Sequence, residues 1–482
     1  MENTKSNPNY RKALIVLTSL FFMWGFITCM NDILIPFLKK VFELNYTQAM
    51  LVQFCFFGAY FIGSLIYFLI SASSGDPISK IGYKNGILIG LIISAIACVL
   101  FYPAAEMKAY WLFLTALFIL GLGFTLLQIA ANPYVAILGK SETASSRLNL
   151  SQGFNSLGTT IAPIIGGFLV FHYFAKLGTP LLSNSGLPIV TDEGDPISAY
   201  GVQLPYLLWA GLFIILAFII KFTKLPRFAN SSTIEKGAGA LKHQHLVLGM
   251  IAIFMYVGGE VSIGSVLINY IKEIVGYPEM EAKSFLAFYW GGAMIGRFLG
   301  AISMSEMQDK VKKSLSMIAV AIAAFLVIYF AVYFESGFEF EFVRITPFLI
   351  FIGVNLIAFH FGKSLPARTL MIFALIVICL LIITLFSDGK LALWTVISIG
   401  LFNSIMWSNI FTLAIKDLGK YTSQGSSLLV MAILGGALIP LVQGAFADMF
   451  GALHYSFFVP IICYIYLAYY GWKGHVVRKT VS

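Results

Sequence analysis

Residues 110–136 read YWLFLTALFILGLGFTLLQIAANPYVA, an apolar run without a single acidic or basic side chain. As an α-helix, a run of this length spans the hydrocarbon core of a bilayer, which takes about 20 residues. Similar runs recur along the chain, so 59% of its 482 residues are hydrophobic, only 11% are charged and the mean hydropathy is +0.88. A soluble protein is closer to half apolar and a quarter charged. The sequence therefore predicts an all-α polytopic membrane protein embedded in the lipid bilayer.

Fourteen runs are apolar and long enough to be counted as spans. They lie at about 13–38, 48–72, 86–103, 110–136, 149–173, 204–222, 246–271, 282–304, 315–334, 345–362, 369–387, 391–415, 423–447 and 454–472. A polar break at 223–245 separates the first six from the last eight. The first run lacks a small-residue cleavage site, so we expect a retained helix rather than a signal peptide.

The basic residues orient these spans. When both termini are placed in the cytoplasm, most of the 31 Lys and Arg residues fall at cytoplasmic helix ends, as expected for a bacterial inner (plasma) membrane. The net charge of +9 is thereby explained without nucleic acid, and no nucleic-acid partner is expected. The five cysteines lie singly in apolar runs, which indicates neither disulfides nor a thiolate metal site. No cofactor is expected, and the protein is predicted to be a monomer.

The second half of the sequence repeats the first. Phe22, Met23 and Trp24 match Phe254, Met255 and Tyr256, whereas the later matches of Asn132 with Asn409, Gly158 with Gly435 and Pro163 with Pro440 need a longer displacement. The extra length corresponds to about two short spans. We therefore predict an N-terminal six-helix bundle (1–222), a cytoplasmic linker (223–245) and a C-terminal bundle (246–482) with an inserted helical hairpin at about 305–366. Parallel repeats with a substrate site between them are typical of secondary transporters.

Several motifs resemble the fucose/galactose/glucose:proton symporter family of the major facilitator superfamily. They are Asn31-Asp32-Ile33-Leu34-Ile35-Pro36, Ala130-Ala131-Asn132-Pro133-Tyr134-Val135, Arg147-Leu148-Asn149-Leu150-Ser151-Gln152, Tyr256-Val257-Gly258-Gly259-Glu260 and Ile295-Gly296-Arg297-Phe298. The resemblance implies a major facilitator fold and sugar uptake by proton symport through alternating access, with Asp32 as the proton carrier. Gln128 and Glu260 depart from the fucose branch and are more similar to the glucose/galactose branch.

Asp32 and Glu260 are acids deep within predicted spans. A charged carboxylate there costs about 2.5–3.5 kcal/mol on insertion scales, so such a residue is a candidate functional site. We predict that both take part in proton coupling and that Glu260, flanked by Gly258 and Gly259, also contacts the sugar. A structural hydrogen bond to a neighbouring helix is the alternative for each.

Amide side chains form polar stripes on the fourth and fifth spans. An amide both donates and accepts hydrogen bonds, as a sugar hydroxyl does. Aromatic side chains can stack on the apolar face of a sugar. The predicted sugar-binding residues are Trp24, Gln128, Asn132, Asn149, Gln152, Asn155, Glu260, Asn403 and Trp407. The alternative is that the polar side chains only join helices within the lipid.

Four residues are predicted to have gating or structural roles. Arg297 lies toward the cytoplasmic end of its span, from which its side chain can reach the membrane surface by snorkelling. Lys80, Gly82 and Lys84 belong to the loop GDPISKIGYK at 75–84, which resembles a loop signature of the superfamily. Ser79 stands where the acid of that signature usually lies, so we expect a weakened charge relay.

The predicted function is proton-coupled import of a neutral hexose, glucose or galactose first. Sodium coupling and carriage of N-acetylglucosamine or another sugar are alternatives, and a membrane sugar sensor is less favoured. An enzyme is not expected, and no phosphate-cradling glycine loop points to ATP.

Overall fold

The computed structural model describes residues 10–41, 46–167, 173–182, 186–190, 198–226 and 236–478, together with 169 and 196. The side chains of 31–50, 53, 167, 175, 279 and 280 lie outside this description. The predicted proton carrier Asp32 therefore lies on a described helix, but its side chain is outside the described residues.

The chain folds into α-helices, many of them long enough to span a membrane. In the first half they are α1 (Arg11–Val41), α2 (Tyr46–Ser74), the short α3 (Pro77–Ile81), α4 (Tyr83–Glu106), α5 (Tyr110–Ile137), α6 (Ala144–Gly167) and α7 (Tyr200–Phe222). In the second half they are α8 (Gln244–Val275), α9 (Glu279–Ser303), α10 (Lys310–Glu335), α11 (Thr346–Gly362), α12 (Pro366–Leu385), α13 (Gly389–Asn403), α14 (Met406–Ala414), α15 (Thr422–Met431), α16 (Gly435–Phe450), α17 (Leu453–Ser456) and α18 (Phe458–Tyr469). The pairs α13–α14, α15–α16 and α17–α18 each form one interrupted span.

Thirteen helical segments of the described chain are long and apolar enough to cross a membrane. The fourteenth predicted span is α6, whose sequence ASSRLNLSQGFNSLGTTIAPIIGG is too polar to be counted with them. A helix of this composition is stable in a membrane only if other helices shield it. The prediction of an all-α fold with fourteen spans is confirmed, and α6 is marked as an interior helix.

The two halves repeat the same packing. In the first half α1 packs on α6, α2 on α5, and α4 on both α5 and α7; in the second, α8 packs on α16, α9 on α13, and α12 on both α13 and α18. The glycines matched by the repeat make equivalent contacts. A side chain at Gly158 would meet the carbonyl oxygen of Phe22 at 2.3 Å, and one at Gly435 would meet that of Phe254 at 2.0 Å. Only glycine allows these backbones to approach so closely.

This correspondence assigns α12 to the position of α4, so α10 and α11 have no counterpart in the first half. The inserted pair packs on the second half, α10 against α9 and α11 against α12 and α13. The bounds of the two bundles and of the linker stay predictions, and residues 227–235 of the linker lie outside the described chain.

The halves meet mainly along α6 with α9 and along α2 with α15. We call the side of the bundle where α1 begins and α18 ends the terminal face. The last turn of α2, the first turn of α6, the last turns of α9 and α14 and the first turn of α15 all lie on this face.

Candidate functional site

The polar helix α6 lies between the two halves and brings their side chains together. It packs on α1 of its own half and on α9 of the other. At mid-depth its Ser156 hydroxyl accepts a hydrogen bond from the guanidinium Nη1 of Arg297, which projects from α9. The Nε of Arg297 donates to the backbone oxygen of Ser404 at 3.2 Å. Arg297 therefore points into the contact between the halves rather than snorkelling to the membrane surface, and its gating or structural role stays a prediction.

Glu260 is buried at the middle of α8, and the positive charge of Arg297 is near enough to interact with it electrostatically. The hydroxyl of Tyr256, one turn earlier on the same helix, lies close to both Glu260 and Arg297. It forms no hydrogen bond with a described residue. The hydroxyl of Tyr289 donates to the backbone oxygen of Glu260 at 2.9 Å. A buried carboxylate thus lies near a guanidinium that is hydrogen-bonded to Ser156 and Ser404, and nearby opposite charges offset the cost of burying each of them.

Asn403 extends this network at the point where α13 ends. Its Nδ2 donates to the Tyr289 hydroxyl at 3.0 Å, and its Oδ1 accepts from the Tyr464 hydroxyl at 2.7 Å. All three side chains are fully buried or nearly so. We refer to the residues of this network as the deep cluster. They are Ser156, Tyr256, Glu260, Tyr289, Arg297, Asn403, Ser404 and Tyr464.

A second group of predicted residues lies in the first half at a similar depth. The side chains of Trp24 and Gln128, both buried, lie close to the hydroxyl of Tyr60 on α2. The Trp24 ring packs edge-on against Phe124, with their centroids 6.2 Å apart. The structure therefore brings Trp24 and Gln128 together and adds Tyr60, which the sequence analysis did not select.

Three further predicted residues differ in their surroundings. The Nδ2 of Asn155 donates to the backbone oxygen of Phe21 at 3.0 Å, which ties α6 to α1. Gln152 is buried, and no hydrogen-bond partner for it is found among the described residues. Trp407 is also buried, and its indole Nε1 has no partner in the described chain. Gln152 and Trp407 therefore have donors available for a ligand.

Asn149 and Asn132 lie closer to the terminal face than the deep cluster. The Nδ2 of Asn149 donates to Oδ1 of Asn409 at 3.3 Å and so joins the two halves. Asn132 is fully buried, and neither polar atom of its amide has a partner within the described chain. The structure does not bring these two residues into the deep cluster.

The loop at 75–84 contributes a buried acid that the sequence analysis missed. Asp76 caps α3 by accepting hydrogen bonds from the backbone nitrogen of Ser79 at 3.1 Å and from its hydroxyl at 2.6 Å. The same carboxylate accepts hydrogen bonds from the hydroxyls of Tyr67 and of Ser423, and Ser423 lies in the first turn of α15 in the other half. The signal in the sequence was an aspartate directly before Pro77, since Asp is a preferred helix cap and Pro a preferred first residue.

The predicted loop residues act within their own half. Lys80 is exposed, and its Nζ donates to the backbone oxygen of Ser74 at 2.6 Å. The Nζ of Lys84 donates to the backbone oxygens of Lys221 and Thr223 at 2.7 and 3.0 Å, which caps the end of α7. Gly82 has φ 83°, a left-handed value that glycine adopts without strain. These contacts favour the structural alternative.

Other polar contacts close the terminal face. Ser145 and Thr412 share a hydrogen bond of 2.6 Å, the Ser146 hydroxyl donates to the Ala301 oxygen at 2.6 Å, and Gln424 Nε2 donates to Ser71 Oγ at 3.1 Å. We call the contacts made here the terminal-face contacts. They involve Ser71, Asp76, Ser145, Ser146, Asn149, Ala301, Asn409, Thr412, Ser423 and Gln424. No group of three or more His, Cys, Asp or Glu residues that could hold a metal occurs in the described part of the chain.

The repeated packing and the buried polar network between two helical halves define a membrane transporter. The chain belongs to the Major Facilitator Superfamily, whose sequence profile matches residues 14–362. It is therefore a transporter and not an enzyme, as expected.

Individual relatives agree with this placement. The chain is 45% identical to the glucose/galactose transporter of Brucella abortus, over 98% of this chain and 96% of that protein. It is 31% identical to the L-fucose-proton symporter of Escherichia coli, over 95% of this chain and 91% of that protein. The structure of FucP in the outward conformation superposes with a TM-score of 0.73 at 28% identity, covering 97% of this chain and 99% of that one. The predicted family is confirmed.

Proposed function

We propose that this protein imports a neutral hexose, glucose or galactose, by proton symport through alternating access. The observation that carries the proposal is the deep cluster, in which the buried carboxylate of Glu260 lies within electrostatic range of the guanidinium of Arg297, and that guanidinium is hydrogen-bonded to Ser156 of the opposite half. A change in the charge of Glu260 therefore acts on a contact that joins the halves. The names of the relatives, a glucose/galactose transporter and a fucose-proton symporter, support both the substrate class and the coupling ion.

Protonation of Glu260 would remove the negative charge that faces Arg297. The guanidinium would then lose an attractive charge and keep its hydrogen bonds to Ser156 and Ser404, so its position would change more easily when a sugar binds beside it. Asp32 is proposed from the resemblance as the carrier that receives the proton first. Because linkage is reciprocal, a proton that favours sugar binding is itself bound more tightly when sugar is present.

Sugar recognition is proposed for the amide and aromatic side chains that the sequence analysis selected. Gln128 and Gln152 can donate and accept as hydroxyls require, while Trp24 and Trp407 offer ring faces to the apolar side of a hexose. Asn403 already bonds two tyrosines, so it would contact the sugar through its remaining donor and acceptor positions. Asn155 and Asn149 are proposed to act through helix position, because their amides bond the backbone of Phe21 and the side chain of Asn409.

We infer that the structure corresponds to an outward-facing state with both termini in the cytoplasm of a bacterial inner membrane. Supporting this, the terminal-face contacts hold the halves together on the side of the termini, and the fold superposes on FucP in its outward conformation. Import then requires these contacts to open while the opposite side closes.

Uptake of labelled glucose and galactose into proteoliposomes tests the proposal. An inward proton gradient without sodium should drive accumulation, and an inward sodium gradient at equal pH should not. Asp32→Asn and Glu260→Gln should each abolish accumulation. Accumulation driven by sodium alone would support the sodium-coupled alternative. Competition by N-acetylglucosamine but not by glucose would indicate that the amino sugar is the substrate. If no sugar were transported under either gradient, the proposed function would be wrong.

A further inference from the structure

The inserted hairpin carries one fully buried polar side chain, and that side chain bonds the core of the transporter. Helix α11 reads TPFLIFIGVNLIAFHFG, and Asn355 is its only amide. The residue is 0% exposed, although the neighbouring Ile350 and Ile357 are 68% and 58% exposed on the outer side of the helix. Its Nδ2 donates to the backbone oxygen of Leu401 at 3.1 Å. A polar side chain among apolar residues within the membrane is costly unless it forms such a hydrogen bond.

Leu401 lies in the last turn of α13, immediately before the span is interrupted. The last four carbonyls of a helix lack partners within that helix and must be satisfied by other groups. The Leu401 oxygen receives the amide of Asn355 and, at 2.7 Å, the hydroxyl of Ser404. Asn355 thus caps the broken end of α13 from a helix that the first half of the protein does not possess.

The capped turn is the one that supplies residues to the deep cluster. Asn403, which bonds Tyr289 and Tyr464, follows Leu401 by two positions. The backbone oxygen of Ser404, three positions after Leu401, accepts the Nε of Arg297. A displacement of this turn would therefore move both the amide of Asn403 and the acceptor that holds the guanidinium.

Packing leaves this turn little freedom to adjust if the cap is lost. A side chain at Gly296 would meet the Ser404 hydroxyl at 2.1 Å and the Leu401 oxygen at 2.6 Å, so α9 and α13 are already in backbone contact. Phe348 of α11 is fully buried and lies 5.7 Å from Phe288 of α9, centroid to centroid. The inserted helix α11 therefore packs on both α9 and α13, which carry Arg297 and Asn403 of the deep cluster.

We propose that the inserted hairpin is a positioning element of the transport site, with Asn355 as its positioning residue. The cap on Leu401 fixes the interruption between α13 and α14, and this orients Asn403 and the Ser404 carbonyl for the sugar and for Arg297. The proposal rests on the proposed function in so far as the deep cluster is the site of sugar binding. The sequence analysis assigned no role to the hairpin.

The test compares Asn355→Leu with a matched control, Thr384→Val, in the purified full-length protein. Thr384 is also fully buried in the second half and bonds α13 through the Thr395 hydroxyl at 2.8 Å, but in the middle of α13, more than one turn before Leu401. Both substitutions remove buried side-chain hydrogen bonding, so both should lower the melting temperature. Only Asn355→Leu should weaken glucose or galactose binding, by about tenfold, the effect of one lost bond of this kind. Asn355→Gln, which retains the donor, should recover part of the affinity.

A second measurement needs no sugar. In protein labelled with 5-fluorotryptophan, the ¹⁹F resonance of Trp407, three positions after Ser404 and assigned with Trp407→Phe, should shift in Asn355→Leu and stay in place in Thr384→Val. An unchanged Trp407 resonance in Asn355→Leu, or an equal loss of sugar affinity in both variants, would overturn the inference. If wild-type protein bound none of the sugars, the proposed function would fail, whereas the fluorine measurement would still decide the positioning role of Asn355.

Discussion

The deep cluster and the terminal-face contacts both join the two halves, but they do so with different chemistry. In the deep cluster a buried carboxylate lies within electrostatic range of a guanidinium that is hydrogen-bonded across the halves. At the terminal face the described contacts are mostly hydroxyls and amides, and the buried carboxylate of Asp76 is held by hydroxyl groups and one backbone nitrogen. Net, a neutral hydrogen bond contributes about 0.5–1.5 kcal/mol, whereas breaking a buried charge pair costs about 3–5 kcal/mol.

This difference indicates that the two sets of contacts have different functions. Many weak contacts can be exchanged in one conformational step without a large barrier, which suits a surface that must open and close. A charged network responds strongly to the gain or loss of one proton, which suits a coupling site. The predictions below test that difference from its largest consequence to its smallest.

Loss of Arg297 should have the largest effect. Arg297→Gln removes the donors to Ser156 and Ser404 and leaves Glu260 without its compensating charge. We expect transport in proteoliposomes to fall by at least about 100-fold, together with a lower melting temperature, because an uncompensated buried charge is costly.

A double variant separates charge from packing. Arg297→Gln combined with Glu260→Gln removes both charges, so it should be more stable than Arg297→Gln alone while remaining inactive in proton-driven uptake. Equal melting temperatures for the single and double variants would contradict the expectation that Glu260 is left as a costly uncompensated charge when Arg297 is removed.

Removal of the Asp76 carboxylate should have an intermediate effect. Asp76→Ala leaves the hydroxyls of Tyr67, Ser79 and Ser423 without their acceptor, so the terminal face should open more often. The test introduces Ser145→Cys into both the parent protein and Asp76→Ala and follows maleimide labelling of that position by mass spectrometry of its peptide. We expect labelling to be about tenfold faster in the presence of Asp76→Ala.

Ser423→Ala is the control for Asp76→Ala, because it removes only the bond that crosses between the halves. Its labelling rate at position 145 should lie between those of the parent protein and Asp76→Ala. Labelling at the parent rate in Asp76→Ala would show that this carboxylate does not hold the terminal face closed.

The exposed ion pair at the terminal face should have the smallest effect. Lys140 Nζ lies 3.1 Å from a carboxylate oxygen of Glu306, and both side chains are more than half exposed, at 56% and 54%. Such pairs contribute about 0–1 kcal/mol and are screened by salt. Lys140→Ala should therefore leave the transport rate within about twofold of wild type. A loss as large as that of Asp76→Ala would mean that charge pairing also closes this face.

The fold could be predicted from the sequence because its determinants are local or periodic. Apolar runs fix the number of helices, and the match of Gly158 with Gly435 predicts a repeated backbone crossing that the structure shows. The polar composition of α6 was visible as well, and its interior position follows from the cost of exposing such a helix to lipid.

The candidate site was only partly predictable. Intramembrane acids and amides stand out against an apolar background, so Glu260, Gln128 and Asn403 could be selected. Tyr60, Tyr289 and Tyr464 could not, because aromatic residues form 15% of the chain and nothing local distinguishes the ones that lie against an amide of another helix. Asp76 was missed because its acceptor role depends on Ser423, which is far away in the sequence and close only in the folded chain.

The central claim is that protonation of an intramembrane carboxylate and the binding of a sugar favour each other. The most direct measurement is the affinity of the purified protein for glucose and galactose over a series of pH values without sodium. We predict that the affinity falls as the pH rises, and that Glu260→Gln or Asp32→Asn flattens this dependence. An affinity that is the same at every pH in the wild-type protein would contradict the account.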